Sequence, residues 1–260
     1  MGVNSAENLI CFSPDKVGVY PAGSEYLPRA EALAERIGSF VSCSGQSNVP
    51  LLRIDENGLS LTGGGLSIQG DLTRMLPRLK QANLSGEMLV RASRIKGADY
   101  PLTAVDATAG LGEDSVLLAA AGFNVIMFEY NPVIAALLED SLERARVAPG
   151  LSEIAGRMSL EWGSSIEMMP HITPHPDVIL LDPMFPERQK SALIKKKFQL
   201  LQQLESPCSE EEELFAAAVL AHPRKIVIKR PLKGQFLAGR KPEYSLRGKA
   251  IRYDCFTFAV

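Results

Sequence analysis

Four cysteines in 260 residues, Cys11, Cys43, Cys208 and Cys255, stand far apart and form no Cys-x-x-Cys pair. That spacing argues against a zinc site, so no metal is expected, and sparse unpaired thiols point to a reduced, cytoplasmic protein. No apolar run reaches the length of a bilayer span, and the start lacks the basic and apolar regions of a secretory signal, so no membrane association is expected. Met1-Gly2 opens like a myristoylation signal, but Ala6 occupies the position that needs Ser or Thr. Charge of one sign is also missing in bulk, with 28 Lys and Arg against 30 Asp and Glu and a net charge of −2. The chain as a whole has no drive toward nucleic acid or membrane, and any basic contact face must be local.

What is present suits a globular α/β protein. An apolar fraction of 46% can bury a full core, and the length fits one large domain or two smaller ones. The first part holds short mixed segments. Asn8–Phe12 reads as a strand, and Ser24–Ile37 alternates charge and alanine at helical spacing before stopping at Gly38. Leu51–Asp55 and Leu59–Thr62 flank Glu56-Asn57-Gly58, a hairpin signal because Asn-Gly accepts positive φ. Leu66–Gln69 then reads as a short strand and Asp71–Gln81 as a second helix. Residues 1–85 are expected to form a small N-terminal α/β lobe, either scaffold or an arm that recruits substrate.

Residues 86–260 are expected to form the larger domain. Glu87–Ile95 reads as a helix exposing Arg91 and Arg94, and from Leu102 strands and helices alternate as in a doubly wound, Rossmann-like parallel sheet. Strands are expected up to Asp106 and over Asn124–Phe128, Met158–Trp162, Asp177–Leu181 and Lys225–Ile228. Helices are expected over Ser115–Ala121, Pro132–Arg146 and Leu193–Leu204, with another opening at Glu210–Glu213. Ser245–Arg247 with Ile251–Val260 makes a terminal strand pair, the usual closing element of methyltransferase sheets, whereas a dehydrogenase continues with a helix and a parallel strand.

The chain is organised around Val105-Asp106-Ala107-Thr108-Ala109-Gly110-Leu111-Gly112-Glu113-Asp114, a strand end that turns through two glycines into a helix. In an open α/β sheet that crevice binds ligands, and Gly110 and Gly112 let backbone approach them closely. A dinucleotide fingerprint needs a third glycine where Ser115 stands, and Glu113 and Asp114 at the helix N-terminus compete with a pyrophosphate for the positive end of the dipole. They do not repel a ligand carrying an ammonium and a sulfonium, so S-adenosylmethionine is favoured over NAD. A tight strand-helix connection with no ligand remains the plain alternative.

The other strand ends add polar groups at the same edge. Glu129 can accept both hydrogen bonds of a ribose diol, and Ser164 and Ser165 can reach an adenine edge or simply form a turn. Most informative is Asp182-Pro183-Met184-Phe185-Pro186 after Val178-Ile179-Leu180-Leu181; it resembles the Asp/Asn-Pro-Pro-aromatic motif of methyltransferases that act on exocyclic or amide nitrogens. An exocyclic or amide nitrogen is a poor nucleophile because its lone pair is delocalised. Asp182 and the Pro183 carbonyl, accepting its two N–H bonds, would aim that lone pair at a methyl donor, while Phe185 offers a face for a flipped base. A proline-rich loop with a buried phenylalanine is the alternative. Arg188, Lys190, Lys195–Lys197, Lys229, Arg230, Lys233, Arg240, Lys241, Arg247, Lys249 and Arg252 crowd the later sequence, as a phosphate-contacting face or an ordinary solvated surface.

Asp-Ala-Thr-Ala-Gly-Leu-Gly at 106–112, Asn131-Pro132-Val133, Asp182–Pro186, Gln189-Lys190-Ser191-Ala192-Leu193 and Lys229-Arg230-Pro231 together resemble the bacterial 16S ribosomal RNA guanine-N2 methyltransferase J family, over roughly 86–260. The resemblance implies a class I methyltransferase fold and methyl transfer from S-adenosylmethionine, without a metal, to the 2-amino group of a guanine near the 3′ end of 16S rRNA. It implies the rRNA or the small ribosomal subunit as partner and leaves the oligomeric state open. It carries cofactor contacts to Glu113, Asp114, Glu129, Tyr130, Ser164, Ser165 and Asp182. A DNA base or protein amide as acceptor, or a non-catalytic RNA-binding assembly factor, are the competing readings.

Overall fold

A computed structural model of the chain describes residues 17–99, 101–183 and 210–258. It divides into two compact units, one containing residues up to Gln69 and the other Gly70–Phe185 with Cys208–Val260.

In the first unit β1 (Gly18–Pro21), β2 (Leu51–Asp55), β3 (Gly58–Gly63) and β4 (Leu66–Ile68) form one sheet in that order. The first pair is parallel, joined by the helix Leu27–Ile37, which stops where Gly38 takes φ 67°. The other pairs are antiparallel. The Asn57-Gly58 signal is met by a hairpin in which Gly58 alone takes positive φ, at 100°, while Asp55 Oδ1 accepts the Asn57 N–H at 2.9 Å. β1 was not foreseen: four residues ending in proline carry little periodicity.

The second unit is a seven-stranded sheet ordered β10-β11-β9-β8-β5-β6-β7. Its strands are β5 (Thr103–Asp106), β6 (Asn124–Glu129), β7 (Met158–Trp162), β8 (Val178–Leu181), β9 (Lys225–Pro231), β10 (Tyr244–Arg247) and β11 (Ile251–Thr257). Pairings from β7 through β9 are parallel, and β11 alone runs antiparallel to both of its neighbours. All four residues of β8 are 0% exposed because the two faces of the sheet carry separate cores. Val178 and Leu180 join Leu117, Phe123 and Leu138 on one face, and Ile179 and Leu181 join Phe128, Leu214 and Ile228 on the other. Each such aliphatic side chain contributes about 1.5–3 kcal/mol by leaving water, so β8 is held from both sides.

The second helix expected over Asp71–Gln81 is instead three short pieces, Leu72–Met75, Leu76–Leu79 and Gln81–Leu84. Pro77 suits only a first turn, and Lys80 at ψ 135° leaves helical geometry. These pieces put Leu72, Met75, Leu79 and Leu84 into the core of the second unit, so its contact boundary falls after Gln69 rather than after residue 85. The helix expected over Glu87–Ile95 is Met88–Ser93, and β9 runs three residues past its expected end, taking Lys229 and Arg230 into the sheet. The segments expected at Asn8–Phe12 and Leu193–Leu204 lie outside the described residues.

Candidate active site

At the end of β5 the backbone turns through Gly110 (φ 54°) and Gly112 (φ 80°) into the helix Glu113–Ala120. The two glycines answer different demands. A Cβ on Gly112 would stand 2.7 Å from Leu138 Cδ1, whereas a Cβ on Gly110 would meet nothing within 4 Å. Gly112 therefore permits packing, and Gly110 leaves an open face where backbone can meet a ligand.

Three carboxylates end three adjacent strands. Asp106 is 2% exposed and accepts from Ser115 Oγ at 2.5 Å and from the Thr108 N–H at 3.2 Å. Burial pushes its carboxyl up to about 7. Glu129, at the end of β6, accepts from the Gly110 N–H at 3.0 Å and the Asn131 N–H at 2.9 Å. It thereby ties the glycine turn to the start of the helix Pro132–Val147, whose first N–H groups are capped by the Asn131 side chain.

Asp182 follows β8. Its N–H donates to Thr108 Oγ1 at 2.8 Å, fixing the strand end to the turn after β5. Its carboxylate meets Lys229 Nζ at 2.8 Å, and the same ammonium donates to Asp114 Oδ2 at 2.6 Å. Burial raises the Asp182 carboxyl above its ordinary value, and Lys229 opposes that shift. Pro183, buried, continues the chain.

The glycine turn, Glu129 and the strand-end Asp182 thus share one edge of the sheet, the place where open α/β sheets hold ligands. Comparison with known proteins says which ligand. A family model described as "Putative SAM-dependent methyltransferase" matches residues 49–258. A protein from Thioalkalivibrio sulfidiphilus named ribosomal RNA small subunit methyltransferase J is 36% identical over 94% of this chain and 98% of its own length. One of the same name from Pseudomonas aeruginosa is 38% identical over 87% of this chain and 89% of its own.

The chain belongs to the ribosomal RNA small subunit methyltransferase J family.

The crystal structure of a SAM-dependent methyltransferase from Neisseria gonorrhoeae matches 92% of this chain and 95% of its own at 27% identity, with a TM-score of 0.73. The larger unit is therefore a class I, Rossmann-like methyltransferase fold and the chain is a SAM-dependent methyltransferase. Its cofactor is S-adenosylmethionine. Among the described residues no cluster of three His, Cys, Asp or Glu side chains is arranged to hold a metal ion, and no helix is long and apolar enough to cross a membrane.

The other residues expected from the sequence fall as follows. Glu113 and Asp114 open the helix after the turn, and Tyr130, 57% exposed, follows Glu129. Ser164 precedes and Ser165 begins the helix Ser165–Met168 after β7, with the Gly163 N–H bonded to the Glu129 carbonyl at 2.9 Å. Phe185 lies outside the described residues, as do Arg188, Lys190 and Lys195–Lys197.

The basic C-terminal stretch needs correction as one phosphate-facing surface. Arg230 is 4% exposed and pairs with Glu211 at 3.2 Å. Arg252, also 4% exposed, pairs with Asp254 at 2.9 Å and donates to the carbonyls of Pro231, Leu232 and Gly234. Lys229 faces Asp182, while Lys233, Arg240, Lys241, Arg247 and Lys249 are exposed. In sequence Thr108 and Lys229 have no assigned partner, and Ser115 has no role beyond a helix start in place of a glycine. Thr108 holds the Asp182 N–H, Lys229 pairs with Asp182, and Ser115 is fully buried against Asp106.

Proposed function

We propose that the protein methylates the exocyclic 2-amino group of a guanine in 16S rRNA, acting in the cytoplasm on the rRNA or the small ribosomal subunit. The observation that carries this reading is Asp182, fixed through Thr108 to the glycine turn and followed by proline in a motif suited to amine nitrogens. The names of the relatives support rRNA as the substrate.

When bound, S-adenosylmethionine supplies the methyl group as an electrophile, its carbon–sulfur bond breaking as the nitrogen–carbon bond forms. Glu129 would accept the ribose hydroxyls, the Gly110 face would accommodate the methionine part, and Ser164 and Ser165 would meet the adenine edge. Asp106, Gly112, Glu113, Asp114 and Tyr130 complete the cofactor's surroundings. Asp182 and the Pro183 carbonyl each accept one N–H of the flipped guanine's amine, which turns the lone pair toward the methyl group. As the nitrogen becomes cationic, the Asp182 carboxylate takes one of its protons and passes it to solvent. Phe185, outside the described residues, is the aromatic that the motif offers for stacking on the base.

The test is mass mapping of methylguanines in small-subunit rRNA from cells lacking the protein. One N2-methylguanine is expected to be missing, restored by the wild-type chain but not by Asp182→Ala. Restoration by Asp182→Ala would remove Asp182 from the chemistry, and an unchanged methylguanine map in cells lacking the protein would overturn this choice of substrate.

A further inference from the structure

Lys229 reads in sequence as part of the Lys229-Arg230-Pro231 motif and as one of many cations near the C-terminus, with no partner assigned, and the topology supplies that partner. β9 runs parallel beside β8 with Leu181 paired to Ile228, so Lys229 stands level with Asp182 at the same sheet edge. Its ammonium lies 2.8 Å from Asp182 Oδ2 and 2.6 Å from Asp114 Oδ2. Tyr253, opposite Lys229 on the antiparallel β11 and 4% exposed, limits where the lysine can go.

Among the described residues the surroundings are mostly acidic. Asp106 ends β5, Asp114 and Glu113 open the next helix, Arg78 pairs with Glu87, and Arg230, which pairs with Glu211, adds a weaker pull on Asp182 toward the ionised form. Among the described residues, Lys229 is the cation that touches the Asp182 carboxylate.

We propose that Lys229 is a positioning residue for methyl transfer, anchored by Asp114, that keeps the Asp182 carboxylate ionised and turned to accept the amine N–H. The proposal rests on the reading of Asp182 as the amine's acceptor. Burial and Asp114 both favour the protonated form of Asp182, which would offer a donor where an acceptor is needed; Lys229 favours the ionised form. Burial alone would lower Lys229, but Asp182 and Asp114 hold it above the ordinary lysine value, so it stays charged while the carboxylate titrates.

The experiment follows methyl transfer from tritiated S-adenosylmethionine, at saturating concentration, to small-subunit rRNA prepared from cells lacking the protein, between about pH 5 and 10. Removing an opposite charge in contact raises a carboxyl by about 1–3 units. Lys229→Met is therefore expected to move the acid limb of the rate up by about that much, with activity recovered at alkaline pH, while Lys229→Arg returns the limb toward wild type. In an Asp182→Asn background Lys229→Met should move the limb no further, which separates Asp182 from Asp106. If Lys229→Met fails to fold, Asp114→Asn carries the test with the opposite sign, because losing a neighbouring negative charge moves the limb down. If Asp182→Asn retains the wild-type rate, the underlying reading of Asp182 fails and takes the proposal with it. If Asp182→Asn loses the rate while the limb ignores both Lys229→Met and Asp114→Asn, the proposal alone is overturned.

Discussion

Asp106 and Asp182 end neighbouring parallel strands of one sheet, yet they are answered by different partners. Asp106 is closed in by the Ser115 hydroxyl and the Thr108 N–H with no cation in contact among the described residues, and burial brings its carboxyl up to about 7. Asp182 keeps a side chain 32% exposed and a lysine at 2.8 Å. The first carboxyl organises the turn from inside, and the second presents charge at the edge where an acceptor would arrive. Residue type and strand position alone do not separate these roles; the facing side chain does.

The largest expected effect comes from removing the presented carboxylate. Asp182→Ala should lower the methyl-transfer rate about 10²–10⁴-fold, the usual contribution of a positioned acid or base, while S-adenosylhomocysteine affinity measured by calorimetry stays within a few-fold of wild type. Glu129→Ala should do the reverse. It removes an acceptor whose charge-assisted bonds are worth about 1.5–3 kcal/mol each, so S-adenosylhomocysteine affinity is expected to fall about 10–100-fold.

Asp106→Asn tests the enclosed member of the pair through stability. A carboxyl raised in the folded protein holds its proton more tightly there than in the unfolded chain. Its contribution is present below the unfolded value near pH 4 and is lost as pH rises through about 7. Urea unfolding of Asp106→Asn should show this slope flattened, by on the order of a few kcal/mol. A slope equal to the wild type would mean that Asp106 is already ionised in the folded protein.

The smallest effects belong to the exposed cations. Arg247→Ala or Lys249→Ala should leave the melting temperature unchanged, and where such a side chain meets phosphate it should reduce the salt slope of rRNA binding by about one. Arg252→Met should instead unfold the protein more easily, because it leaves Asp254 buried and uncompensated.

Much of this site was legible in the sequence because strand ends can be counted. Alternating strands and helices located Asp106, Glu129, Ser164 and Asp182 at one edge, and the terminal strand pair distinguished the sheet from that of a dehydrogenase. What escaped were residues whose role depends on a partner far away in the chain. Ser115 reads as a departure from a glycine pattern until Asp106 is seen against it, and Lys229, though part of a recognisable motif, has no partner until β9 is followed past Ile228. Composition could not tell Arg230 and Arg252, buried with their acids, from Lys241 and Arg247 in solvent. The break at Lys80 was hidden because apolar spacing continued across it.

The division of labour among the strand ends is tested most directly by the methyl-transfer rate as a function of S-adenosylmethionine concentration for the wild type, Glu129→Ala and Asp182→Ala. Glu129→Ala is expected to need more cofactor but to approach the wild-type plateau, whereas Asp182→Ala should level off at least about 100-fold lower at any concentration. A wild-type plateau for Asp182→Ala would contradict the account and remove Asp182 from the chemistry.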